Sequence, residues 1–166
     1  MYKAGDNVSY STTGICEIAE IKKMGAAGKE KEYYVLKPIY QKSATVYVPL
    51  NNSLLIEKMR PIINKTEADE IILKLKNDPL GWINDDGKRN VAFKEILHSG
   101  DLYQMLRLVA CIYLQGEELS SNKHKLKTAD SIIFANAEAY VYNELAFVLK
   151  INSNEVIEYI KGKLAE

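Results

Sequence analysis

The feature that most constrains this chain is a change of hydrophobic period part-way along it. Up to about residue 56 the apolar residues recur near every second position, and from Thr66 onward they follow helical spacing. One regular layer cannot bury both patterns, so a β unit followed by a helical unit is expected.

In the first part, Val8-Ser9-Tyr10, Ile15 to Ile21, Tyr33 to Tyr40 and Ala44 to Pro49 are rich in Val, Ile, Tyr and Thr. Ser11-Thr12-Thr13-Gly14, Gly25-Ala26-Ala27-Gly28 and Gln41-Lys42-Ser43 punctuate them. Short strands at this spacing predict a small, strongly bent sheet or barrel. Pro49 directly after Val48 fits an edge strand, because proline has no N–H for a ladder.

In the second part, Thr66-Glu67-Ala68-Asp69 resembles a capping box, after which Ala68, Ile71, Ile72 and Leu75 share a face. Asn77-Asp78-Pro79 stops that helix, and Leu80 to Gly87 reads as a loop. A short helix is expected over 90–97, ended by Ser99-Gly100, and Asp101 caps the next. Leu119-Ser120-Ser121 is read as opening a long central helix to about Leu149, and Ser153 as capping a last one. The expected class is therefore α+β in two domains, residues 1–60 and 66–166.

Charge argues about partners. The chain carries 22 Lys/Arg and 22 Asp/Glu, so the formal net charge is zero. That excludes strong nonspecific nucleic-acid binding, which rests on phosphate neutralisation. Between positions 88 and 127, however, Lys88, Arg89, Lys94, Arg107, Lys123, Lys125 and Lys127 outnumber four acids. A DNA contact would be local and weak, and a partner protein would have to deliver it. No apolar run approaches the roughly 18 residues of a membrane span. The opening Met1 to Asp6 lacks a secretory h-region, so the expected compartment is the cytoplasm.

No enzyme motif survives inspection. Gly25-Ala26-Ala27-Gly28 lacks the Lys-Ser/Thr ending of a phosphate loop. His98 and His124 have no ligand-spaced partner, Asp85-Asp86 beside Gly87 reads as a solvated turn, and Glu117-Glu118 as an exposed face. Cys16 and Cys111 are too few and too far apart for a disulfide framework or zinc site. Neither catalysis nor a cofactor or metal is expected.

Trp82, the only tryptophan, has two readings. It is either a loop aromatic folded over the helical core or a flat apolar wedge beside the cations Lys88 and Arg89. Lys123-His124-Lys125-Leu126-Lys127 is likewise a solvated helical face or a phosphate-contacting run. Residues 44–48 are either a protected edge or one open to strand pairing with another protein.

Lys3-Ala4-Gly5-Asp6-Asn7-Val8, with Tyr10 and Gly14, resembles the opening of the CarD/CdnL family of bacterial transcription regulators. Glu32 to Lys37, Val46 to Pro49 and Met59-Arg60-Pro61-Ile62-Ile63 continue the pattern in order. So do Trp82, Lys88-Arg89, Ser99-Gly100-Asp101-Leu102, Leu119-Ser120 and Asn143-Glu144-Leu145-Ala146. The first part is also similar to the polymerase-interaction module of transcription-repair coupling factors. The resemblance implies a Tudor-like (SH3-like) N-terminal barrel that binds the RNA polymerase β subunit. It implies a helical domain at the upstream edge of melted promoter DNA, with Trp82 as minor-groove wedge and Lys88 and Arg89 beside it. Lys123 and Lys125 are further DNA candidates, and Lys22, Lys23, Met24, Val46, Tyr47 and Val48 are the polymerase candidates. Two departures stand out: Ile83 to Gly87 separate the basic pair from Trp82, and Met24 and Tyr47 stand where some members carry arginines.

Overall fold

A computed structural model describes residues 1–166 and divides them into two compact units, Met1–Ile62 and Ile63–Glu166. The first holds an antiparallel sheet and the second is helical, an α+β arrangement.

The strands are β1 (Asn7–Tyr10), β2 (Gly14–Met24), β3 (Lys31–Pro38), β4 (Val46–Pro49) and β5 (Met59–Pro61), with one helical turn, α1 (Ser53–Ile56), before β5. Their order is β4-β3-β2-β1-β5. The sheet is open: β4 and β5 are its two edges and no ladder joins them, so the barrel that the resemblance implies is not closed. Val8, Tyr10, Cys16, Ile18, Tyr34, Leu36, Val48 and Met59 form the core. The start of the chain is tied down by local chemistry. The Lys3 N–H donates to the Asp6 carboxylate at 2.7 Å, and Gly5, at a φ of 88°, donates its N–H to the Ile18 carbonyl at 2.7 Å.

One irregularity in β2 decides which side chains face outward. Ile18 opposes Leu36 but Glu20 opposes Val35, so Ala19 is an extra residue, a β-bulge. A regular ladder would set Glu20 against Tyr34, on the core side. The bulge instead puts Ile21 there and turns Glu20, Lys22 and Met24 to the other face.

The helices are α2 (Lys65–Lys74), α3 (Asp86–Ser99), α4 (Leu102–Ser121), α5 (Thr128–Leu149) and α6 (Val156–Ala165). Four boundaries differ from the expected ones. The capping box of α2 is Asn64 with Glu67, one pair earlier than Thr66-Asp69, because the Asn64 amide oxygen accepts from the Glu67 N–H at 3.0 Å. Helix α3 starts at Asp86, not Asn90, since Asp85 accepts the Lys88 N–H at 2.8 Å and acts as its N-cap. Leu119-Ser120-Ser121 closes α4 instead of opening α5, and a turn at Asn122 and Lys123 separates the two. The last helix follows a 3₁₀ turn (Ser153–Glu155) capped by Asn152 with Glu155, not by Ser153. Gly100 ends α3 in the left-handed region at φ 71°, and Asp101 caps α4 through the Gln104 N–H.

Helix α5 is central, packing against α2, α3, α4 and α6. Its buried Ile133, Ala137, Val141 and Leu145 meet Phe93 of α3 and Met105, Leu106, Val109 and Ile112 of α4 in one core. No helix is long and apolar enough to cross a membrane.

Candidate functional site

The segment between α2 and α3 carries Trp82, and it is held at both ends. At its start, Arg107 of α4 donates to the Asp78 carbonyl and carboxylate, both at 2.9 Å, and the Tyr103 hydroxyl donates to the other Asp78 oxygen at 2.9 Å. Leu80, Trp82 and Ile83 then pack partly buried against the helical core. The Trp82 ring meets Phe93 edge-on, with centroids 5.8 Å apart at 67°. The indole leans on the core, as the first reading of Trp82 expects, and is still partly exposed to solvent.

Arg89 corrects the expectation that the basic pair faces phosphate together. Lys88 is exposed, whereas Arg89 is 3% exposed. Neighbouring helical residues point about 100° apart, so a pair in the first turn of α3 cannot share one face. The Arg89 guanidinium has five N–H donors, and each is engaged. Nε and Nη2 fork onto the Asp130 carboxylate of α5 at 2.9 and 2.8 Å, and Nη2 also donates to Asp86 at 2.7 Å. Nη1 donates to the carbonyls of Ile83 and Asn84 at 2.8 and 3.4 Å. The guanidinium carbon lies 4.4 Å from the Trp82 ring centroid, a cation–π contact. The residues that separate the pair from Trp82 in sequence are thus bridged in space by Arg89 itself.

The electrostatics follow from these bonds. The hydrogen bonds that Arg89 donates to Asp130 raise its pKa further above the ordinary value, keeping the cation permanent. The hydrogen bond from Lys127, and then that from Arg89, holds the Asp86 carboxyl below its usual value.

Lys123 and Lys125 are exposed in the α4–α5 connection, not on the first turns of a helix. Lys127, at the end of that run, forms an ion pair with Asp86 and so joins the network around Trp82. Phe93 and Asp130 escaped the sequence reading, and Lys127 and Asp86 entered it only as part of a basic run and a solvated turn. Asp86 and Arg89 at i, i+3 carried a local signal once the helix start is placed correctly. Asp130 lies 41 residues from Arg89 and carried none.

In the β unit, strand register separates the six polymerase candidates. Lys22 opposes Tyr33 and Met24 opposes Lys31, while Tyr47 opposes Val35. These belong to the face turned outward by the bulge, where Tyr47 is 50% exposed. Val46 and Val48 oppose Leu36 and Tyr34 on the core face, and Val48 is fully buried. Lys23 opposes Glu32 on that side, with 4.0 Å between their charged atoms. Val48 can therefore meet a partner only through the β4 backbone, whereas Val46 is partly exposed. Burial pushes the Cys16 thiol up to about 11 and also raises Cys111, so neither is poised as a nucleophile. No group of His, Cys, Asp and Glu is placed to hold a metal ion.

Residues 2–63 match the family model described as the CarD-like/TRCF RID domain. The β unit is similar to that domain family over nearly its whole length. The match ends at Ile63, one residue past the end of the first unit along the chain. That domain family interacts with RNA polymerase, through the β subunit in the TRCF RID, and the match supports a transcription-related, polymerase-binding role.

Proposed function

We propose that this chain is a non-enzymatic transcription regulator of the cytoplasm. The RID-type unit docks on the RNA polymerase β subunit, and the helical unit holds Trp82 against the upstream edge of melted promoter DNA. The observation that carries the DNA half is the Trp82 site: a half-buried indole braced by Phe93 and by Arg89, whose sequence neighbour Lys88 is exposed. An apolar ring set against a base step can hold a distorted duplex while a lysine neutralises phosphate. Docking uses the β4 edge, which pairs with β3 on one side only and so suits strand addition, with Tyr47, Lys22 and Met24 on the adjoining face. Weak DNA contact suffices because docking raises its effective concentration. The effect is to lengthen the life of the open promoter complex without close sequence readout.

The experiment is open-complex decay with purified polymerase. Trp82→Ala is expected to leave polymerase binding intact and to shorten the lifetime several-fold. An unchanged lifetime removes the wedge. The packing of Trp82 on Phe93 favours a second reading, an adaptor that docks through the β unit and touches no DNA. It requires promoter footprints that the protein does not alter.

A further inference from the structure

The RID-type unit accounts for docking, but the polar network under Trp82 is left over: a buried Arg89–Asp130 pair, an exposed Asp86 and the carbonyls of Ile83 and Asn84. Such a pair is not required for a stable core, where apolar residues of similar volume serve as well or better. Its geometry is specific to the loop. One planar group reaches α5 through Asp130, the first turn of α3 through Asp86, the two backbone carbonyls that follow Trp82, and the indole ring itself.

We propose that Arg89 is a positioning residue for Trp82: fixed by Asp130, its guanidinium sets the orientation of the indole and makes no phosphate contact. The functional meaning rests on the wedge reading above, but the positioning itself does not. With every donor engaged and one side of the ring stacked, the loop after α2 cannot swing the indole without giving up the cation–π contact and the Nη1 bonds to the Ile83 and Asn84 carbonyls. Lysine cannot replace this arrangement, because its ammonium is a point charge with three donors and no plane to fork or stack. The cation facing phosphate is then Lys88 alone of the pair.

The test separates orientation from charge. As the only tryptophan, Trp82 reports on itself by fluorescence. In Arg89→Lys and Asp130→Asn, acrylamide quenching of Trp82 is expected to rise about twofold as the stacked cation and loop ties are lost. Open-complex lifetime is expected to fall most of the way to that of Trp82→Ala, although Arg89→Lys keeps the charge. Arg89→Gln is expected to leave the salt dependence of promoter binding unchanged, whereas Lys88→Ala should reduce its log–log slope by about one. If Arg89→Lys retains both quenching and lifetime, or if Arg89→Gln lowers the slope as Lys88→Ala does, the positioning role is overturned. Should the Arg89 and Asp130 variants lose helical circular dichroism, Asp86→Asn carries the test, since it loosens one tie at an exposed residue. Raised quenching there supports the proposal and unchanged quenching overturns it. A normal lifetime in Trp82→Ala with raised quenching in Arg89→Lys would sink the wedge and keep the positioning role.

Discussion

Trp82 and Tyr47 are both aromatic side chains left partly or half exposed, yet the two units hold them by opposite means. Around Trp82 the side chains do the holding: Phe93 against the edge, Arg89 over the ring, and Asp130 and Asp86 fixing Arg89. Around Tyr47 the backbone does it: the side chain stands half-exposed on an edge strand, placed by the ladder to Val35 and by the bulge at Ala19 in the next strand but one. A contact that must hold one angle is preset by a buried network, whereas one made through an exposed sheet edge needs only register. The two sites should therefore fail differently when cut.

The largest difference is expected for Asp130→Ala. It leaves the Arg89 cation buried without its main partner, which costs about 3–5 kcal/mol. Urea unfolding followed through Trp82 should show this loss in the helical unit. A loss under about 1 kcal/mol would mean that Arg89 escapes to solvent and that the network is not a fixed scaffold.

A smaller effect is expected from acid. The folded pKa of Asp86 lies below its ordinary 3.8, so its contribution to stability is fully present above that value. It is lost as pH falls through the lower folded pKa. Asp86→Asn should therefore lower stability at neutral pH and flatten the stability–pH curve below about pH 4, read by urea midpoints across pH. A curve of the same steepness in both proteins would assign the acid sensitivity elsewhere. Asp86 is exposed, so this change should stay well below that of Asp130→Ala.

The smallest stability change is expected at Tyr47. Tyr47→Ala removes a half-exposed side chain from an edge strand and should alter unfolding free energy by no more than about 0.5 kcal/mol. Polymerase binding should nevertheless weaken measurably in a pull-down or titration. Unaltered binding would restrict docking to the β4 backbone and to Lys22 and Met24.

Much of this architecture was legible from the residues alone because it rests on local rules. Period two and period 3.6 separate a sheet from helices, and Gly100 and Asp101 punctuate α3 and α4 where such residues belong. The helix starts were less legible. Asn64, Asp85 and Asn152 each sit near a second residue able to cap, and only the formed hydrogen bond selects one. The break at Asn122 was missed because α4 and α5 are both rich in apolar residues, so their stripes run together in sequence.

By itself, then, the sequence determined an α+β chain in two parts, an RID-type opening and a lone tryptophan near basic residues. Those properties follow from composition, spacing and ordered motifs within short stretches. Only the tertiary structure decided that the sheet stays open and that a bulge at Ala19 turns Lys22 and Met24 outward. Only it separated Lys88 from Arg89, exposing one and burying the other under Trp82. The reason is distance along the chain. Arg89 takes its role from Asp130, 41 residues away, and a charge is read as solvent-facing or buried only once its partner is in place.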